Sequence, residues 1–142
     1  MFHSAPPERI PIPVPDRTTE PFWQGLRERQ LLIQWCQDCT MFVWLPKERC
    51  PKCWSLDLTW TPLSGEGVID SFTVVRRAVF PGWSNSLPYV VVVVTMTESP
   101  PLRLTANLYG IEPDDVKTGL RVSADFYPTT SDISLLGFRI AS

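Results

Sequence analysis

Apolar and polar residues alternate along the second half of the chain. Leu102, Leu104, Ala106 and Leu108 fall on one side, and Arg103, Thr105, Asn107 and Tyr109 on the other. A period of two places one face of a strand in a core. The same alternation picks out Leu120, Val122, Ala124 and Phe126, then Leu136, Phe138 and Ile140. Strands are therefore expected over 102–109, 120–127 and 134–141. Two more precede them, over 68–76 and 89–97. Val90 to Val94 is apolar on both sides, the pattern of a strand covered on both faces. Residues 111–117, with Pro113 and two acids near their start, read as a helical turn. Three strands, a helical turn and two strands is the order of an OB-fold, a five-stranded barrel. A β-sandwich usually needs about seven strands.

The first half follows a different pattern. Residues 1–17 carry prolines at 6, 7, 11, 13 and 15 and read as an extended, polyproline-like arm. Ile10, Ile12 and Val14 alternate with them, so the arm is either unstructured or laid along a surface. Thr18 and Thr19 suit a helix cap, and Glu20 and Pro21 its first turn. A short helix is expected over 20–30, with Phe22, Trp23 and Leu26 on one face. Three short strands follow, over 31–35, 41–45 and 56–60. Residues 61–67 contain Pro62, Gly65 and Gly67 and read as a joint. The organisation expected is an arm (1–17), a helix with a ribbon (18–61) and an OB-fold (62–142).

Four cysteines punctuate the ribbon: Cys36, Cys39, Cys50 and Cys53. Two residues inside each pair let both thiolates reach one ion from a tight turn. Four thiolates fill the tetrahedral shell that Zn2+ prefers and leave no open position for chemistry. One zinc is expected, with iron the alternative for the same geometry. Zinc ribbons often carry glycine just after each knuckle, whereas Thr40 and Trp54 stand there.

Composition narrows the function classes. Fifteen prolines in 142 residues oppose long helices. Thirteen basic residues face fifteen acidic ones, for a net charge of −2. Non-specific nucleic-acid binding needs a basic surplus, so nucleic acid is disfavoured. The N-terminus lacks a signal-peptide pattern and no apolar run reaches the length of a membrane span, so a cytoplasmic protein is expected. The single histidine is His3, in the arm. Neither a nucleophile elbow nor a phosphate-binding glycine loop occurs. Asp114 and Asp115 fit dipole complementarity at a turn, and Asp70 faces no identifiable partner. The chain therefore reads as a binding or scaffolding module, inactive as an enzyme by itself.

Several stretches together resemble the zinc-ribbon/OB-fold family called domain of unknown function 35. They are PFWQGL (21–26), the CxxC and CPxC pairs, GEGVIDSFTVVRR (65–77), PYVV (88–91), ANLYG (106–110) and EPDDVKTGLRV (112–122). The resemblance implies a mainly β chain: a short helix and a rubredoxin-like ribbon, then an OB barrel. It also implies a non-catalytic accessory subunit in a hetero-oligomer. Partners in that family are thiolases, thiolase-like aldolases of steroid side-chain degradation, hydroxymethylglutaryl-CoA synthases and MaoC-type hydratases. The partner holds the catalytic residues, and the small subunit stabilises the complex and helps bind acyl-CoA. The residues allow such a role. Phe22 and Trp23 on the helix, and Phe80 and Trp83 in the loop 78–88, are candidate partner or CoA contacts. Arg76 and Arg77 at the loop's base suit a CoA phosphate. Alternatives are a nucleic-acid-binding ribbon–OB module and a stand-alone acyl-CoA binding protein.

Overall fold

The computed structural model describes residues 2–7 and 10–141. Met1, Glu8 and Arg9 of the arm, and Ser142, lie outside the described residues. Helix α1 (Glu20–Arg27) leads into β1 (Leu31–Cys36), β2 (Met41–Val43) and β3 (Leu58–Leu63). These form a three-stranded antiparallel sheet in the order β2-β1-β3. Then come β4 (Glu66–Val75), β5 (Tyr89–Met96), β6 (Arg103–Tyr109), β7 (Arg121–Pro128) and β8 (Ser134–Ile140). They close a barrel in the order β4-β5-β6-β8-β7, and β7 returns to β4. Only β6 and β8 pair in parallel among the described strands. This is the OB-fold that the strand order predicted.

The helix starts differently from the expectation. Thr19 makes no capping bond through its own side chain. Asp16 does the capping instead: its Oδ1 accepts from the backbone N–H of Thr18 and Thr19 at 2.9 and 2.8 Å, while its own N–H donates to Thr19 Oγ1. The carboxyl is held below its usual range, foremost by the Thr19 amide. The helix also ends earlier, at Arg27. The N–H groups of Arg29 and Gln30 fold back onto the carbonyls of Leu26 and Gly25, a Schellman closure. Arg29 holds the left-handed position at φ 59°, where glycine is the usual occupant. Gly25 is required by packing: a Cβ there would lie 2.9 Å from the Gln30 carbonyl oxygen.

The expected joint over 61–67 shrinks to Ser64 and Gly65, because β3 continues through Leu63 and β4 begins at Glu66. Pro62 is tolerated since β3 is an edge strand of its sheet. Strand β5 is not covered on both faces. Val90, Val92, Val94 and Met96 are buried, and the residues between them are half-exposed. Asp70 sits at a register shift between Ile69 and Ser71, and does find a partner in Arg103, 3.6 Å away. Phe138 is buried as expected, but Ile140 is 38% exposed, at the end of its strand. The helical turn is a short 3-10 turn, Pro113–Asp115.

One hydrophobic core spans both halves. Phe22 and Leu26 of α1 and Leu31 and Ile33 of β1 join the barrel residues Ile69, Val92, Leu104 and Phe138. An ion pair from Arg29 to Asp125 on β7, at 3.1 Å, reinforces the junction, and Arg139 of β8 pairs with the same carboxylate at 3.1 Å within the barrel. The Arg29 guanidinium also lies 5.4 Å from the Phe126 ring centroid. The arm touches the barrel as well, since the His3 carbonyl accepts from the Gly110 N–H at 2.8 Å.

Candidate metal centre and aromatic groove

The first cysteine pair sits where β1 turns into β2, and the second in the segment leading to β3. The four Sγ atoms lie within 4.8 Å of one another, with Cys36–Cys53 at 3.5 Å and Cys39–Cys50 at 3.4 Å. A tetrahedron with metal–sulfur bonds of about 2.3 Å has edges of roughly 3.8 Å. The four thiols are therefore placed to hold one metal ion, and Cys36 and Cys50 are buried.

The knuckles are built alike. Thr40 N–H donates to the Cys36 carbonyl and Trp54 N–H to that of Cys50, both at 2.9 Å. Thr40 and Trp54 have φ of 52° and 63°. These are the positions where the sequence lacks glycine, so both side chains bear the left-handed backbone that a knuckle demands. Backbone N–H groups of Cys53 and, less strongly, Lys52 favour the thiolate of Cys50 and lower its pKa to about 6. Burial and the neighbouring sulfurs raise that of Cys39. Deprotonation at low cost and crowding that disfavours a bare thiolate are both features a cation resolves.

Gln34 ties β1 to the segment between the cysteine pairs. It is buried, and its side-chain amide donates to the Lys47 carbonyl and accepts from the Lys47 N–H, both at 2.8 Å. This pins the segment that delivers Cys50.

A groove of about 360 Å³ opens where helix, ribbon and barrel meet. Its walls include Phe22, Trp23, Trp44 and Trp83, with Asn107 and Leu136 from the barrel. Among the described residues, no charged side chain lines it. Phe22 packs against Trp23 at 5.1 Å and Trp44 at 5.0 Å. Trp83 is anchored on Tyr89 at 4.4 Å from within the 3-10 turn Pro81–Ser86.

The predicted contact residues thus divide. Phe22, Trp23 and Trp83 come together, although Phe22 is mostly buried in the core. Phe80 is exposed outside the groove. Arg76 lies 3.5 Å from Asp114, and Arg77 is exposed. Of the other walls, Trp44 is one of three tryptophans, with Trp35 and Trp54, that crowd the ribbon in the sequence, whereas Asn107 and Leu136 read there only as strand positions.

Comparison with known proteins adds to this geometry. Residues 23–59 match the family description "ChsH2, rubredoxin-like zinc ribbon domain", and residues 60–127 "ChsH2, C-terminal OB-fold domain". A "DUF35 domain-containing scaffold protein" of Methanocaldococcus jannaschii is 30% identical over 106 residues, covering 73% of each chain. A "Probable enoyl-CoA hydratase alpha subunit" of Thermomonospora curvata is 32% identical over 92% of this chain, but over only 40% of its own length. Among solved structures, one chain of "Ltp2-ChsH2(DUF35) aldolase" superposes with a TM-score of 0.82 at 32% identity, covering 92% of this chain and 99% of that one. A DUF35-family protein from Sulfolobus solfataricus, at 16% identity and a TM-score of 0.60, shares the fold. The chain, a four-cysteine ribbon fused to an OB barrel, belongs to the DUF35 family of zinc-ribbon/OB-fold proteins.

Proposed function

We propose that this protein is the non-catalytic accessory subunit of a thiolase-fold acyl-CoA enzyme. An aldolase acting on steroid or other lipid side chains is the favoured partner. The observation that carries this reading is the likeness to the DUF35 chain of the Ltp2-ChsH2 aldolase, which covers 99% of that chain at 32% identity. A second relative supports the lipid assignment: the "3-oxo-4,17-pregnadiene-20-carboxyl-CoA hydratase alpha subunit" of Mycobacterium tuberculosis, 28% identical and spanned over 37% of its length.

The groove supplies a physical basis for docking. Half-exposed aromatic side chains around an uncharged cleft are what a protein interface desolvates at least cost. Trp23 and Trp83 face it from two elements, and we assign them to the partner contact. Arg77, exposed and without an ion pair among the described residues, is the cation we assign to a CoA phosphate, with Arg76 and Phe80 beside it. The metal in this reading is Zn2+, held by Cys36, Cys39, Cys50 and Cys53. Its role is to fold the ribbon, because four protein thiolates leave no position for a substrate. No helix among the described residues is long and apolar enough to cross a membrane, consistent with a place in the cytoplasm.

Co-expression with an Ltp2-type aldolase subunit tests the proposal. The pair should co-elute on size exclusion and cleave an acyl-CoA aldol, while this chain alone shows no turnover. Robust cleavage by the isolated chain, or separate elution of the two, would contradict it.

A further inference from the structure

The two knuckles reach the metal site by unequal routes. Cys36 ends β1 and Cys39 lies in the tight turn to β2, so the first knuckle is held by a hairpin. Residues 44–57, which carry Cys50 and Cys53, belong to no strand. Something other than sheet pairing must position the second pair of sulfurs.

The Gln34–Lys47 contact fixes the start of that segment, and the hydrogen bonds around Ser55 fix its end. Its hydroxyl donates to Asp38 Oδ2 at 2.5 Å, joining the residue before Cys39 to the segment after Cys53. The same oxygen accepts from the Asp57 N–H at 2.9 Å. The Ser55 carbonyl accepts from the Cys50 N–H at 3.0 Å, and the Asp57 carbonyl from the Gln37 N–H at 3.0 Å. Ser55 thus connects one residue of each CxxC pair. A hydroxyl donating to a carboxylate is a charge-assisted bond, stronger than a neutral one and short by nature. Asp38 is exposed and Ser55 half-buried, so neither residue is needed to fill a core.

We propose that Asp38 and Ser55 form a clamp that sets how fast the metal centre exchanges its ion. While the clamp is closed, the Cys50–Cys53 knuckle stays within reach of the Cys36–Cys39 knuckle, and a thiolate that lets go is returned before the ion escapes. With the clamp open, the second knuckle keeps its ties through Lys47 and Asp57 but loses the one bond that joins it directly to the first CxxC turn. Asp38 and Ser55 are positioning residues: they touch no ion and act through the cysteines that do. This inference depends on a metal at the four cysteines, but not on any partner protein.

The test is chelator-driven metal release from the full-length, zinc-loaded protein. Excess 4-(2-pyridylazo)resorcinol traps the released ion and reports the rate by absorbance. Asp38→Ala and Ser55→Ala should each speed release by about ten-fold, the lower end of what outer-shell partners of metal ligands contribute. The double variant should be no faster than the faster single one, because both break the same bond. Ser55→Thr, which keeps a hydroxyl, should return close to the wild-type rate. This rescue separates a clamp from general loosening. Should either alanine variant fail to fold, the comparison of Asp38→Asn with Ser55→Thr carries the test: the first weakens the bond's charge and speeds release, the second does not. Release at the wild-type rate in the variants, or single effects that multiply in the double variant, would overturn the clamp. Protein that loads no zinc at all would overturn the metal assignment instead.

Discussion

At the scale of single residues, the metal site was the most legible feature, because its information lies in spacing. Two CxxC pairs at Cys36/Cys39 and Cys50/Cys53 state their geometry without reference to the rest of the fold. What supports the site was invisible. Gln34 reads as one polar residue in a short strand, yet its side chain is buried and closes a two-bond contact with the Lys47 backbone. Gln34→Leu would take both protein partners from the exposed Lys47 backbone, and a hydrogen bond contributes about 0.5–1.5 kcal/mol net. Chemical denaturation should show that loss, and an unchanged midpoint would show that water serves Lys47 equally well. Cys36→Ser removes a ligand that is itself fully buried. Structural zinc contributes apparent binding energies of about 10–16 kcal/mol in zinc-finger peptides, so this variant should lose its metal and melt the ribbon tip. Elemental analysis reads the first effect. Hydrogen exchange reads the second, with the barrel amides keeping their protection.

At the scale of elements, strand existence followed from alternation, while element ends did not. The helix shows why. Its start depends on Asp16, three residues before the threonine that the pattern suggested, and its end on Arg29 in a conformation suited to glycine. Tertiary contacts keep Arg29 there: an ion pair to Asp125 and a stack on Phe126. An exposed ion pair is worth about 0–1 kcal/mol, and an exposed cation–π contact about 0.5–1 kcal/mol. The left-handed backbone costs a non-glycine residue roughly 1–2 kcal/mol. These nearly cancel, so Arg29→Gly should change stability by less than about 1 kcal/mol. Arg29→Ala keeps the strain and loses the contacts, and should be the less stable variant in thermal melts. The reverse order would show that the left-handed backbone at this position costs less than glycine's extra freedom in the unfolded chain.

Asp125 extends this argument to pH. Burial alone would raise its pKa. The Phe126 amide and the guanidiniums of Arg139 and Arg29 outweigh burial and lower it below the ordinary carboxylate value. A lowered folded pKa means the stabilisation is complete above the unfolded value near 3.8 and is lost as pH falls through the folded one. Wild type should therefore lose stability in that acid window more steeply than Asp125→Asn. Parallel acid limbs for the two proteins would show that the carboxylate contributes nothing there.

At the scale of the whole molecule, the groove could not be read from any one segment. It is assembled from α1, the turn after β2, the loop before β5, and strands β6 and β8. These segments are scattered over more than a hundred residues. Phe22 and Trp23 were visible as an apolar pair, but their division of labour was not. Phe22 turns into the shared core, and Trp23 stays half-exposed at the groove wall. The aromatic surplus of the ribbon likewise divides once the structure is known. Trp44 packs on the common core, Trp35 meets Phe42 edge to face at 4.8 Å, and Trp54 remains 70% exposed. The barrel was legible from strand order alone, because an OB-fold is defined by a connectivity that a one-dimensional pattern preserves.

The central claim is that this subunit docks on a larger enzyme through that groove. Calorimetric titration of an Ltp2-type aldolase subunit with wild type and Trp83→Ala tests it most directly. Trp83 stands on a loop, so its removal spares the core, and truncating a central interface aromatic costs ~2 kcal/mol or more. The account predicts saturable binding by wild type, and a dissociation constant raised by a factor of about 30 or more in Trp83→Ala with thermal midpoint and zinc content unchanged. Equal affinity for the two proteins, or no binding by wild type, would contradict it.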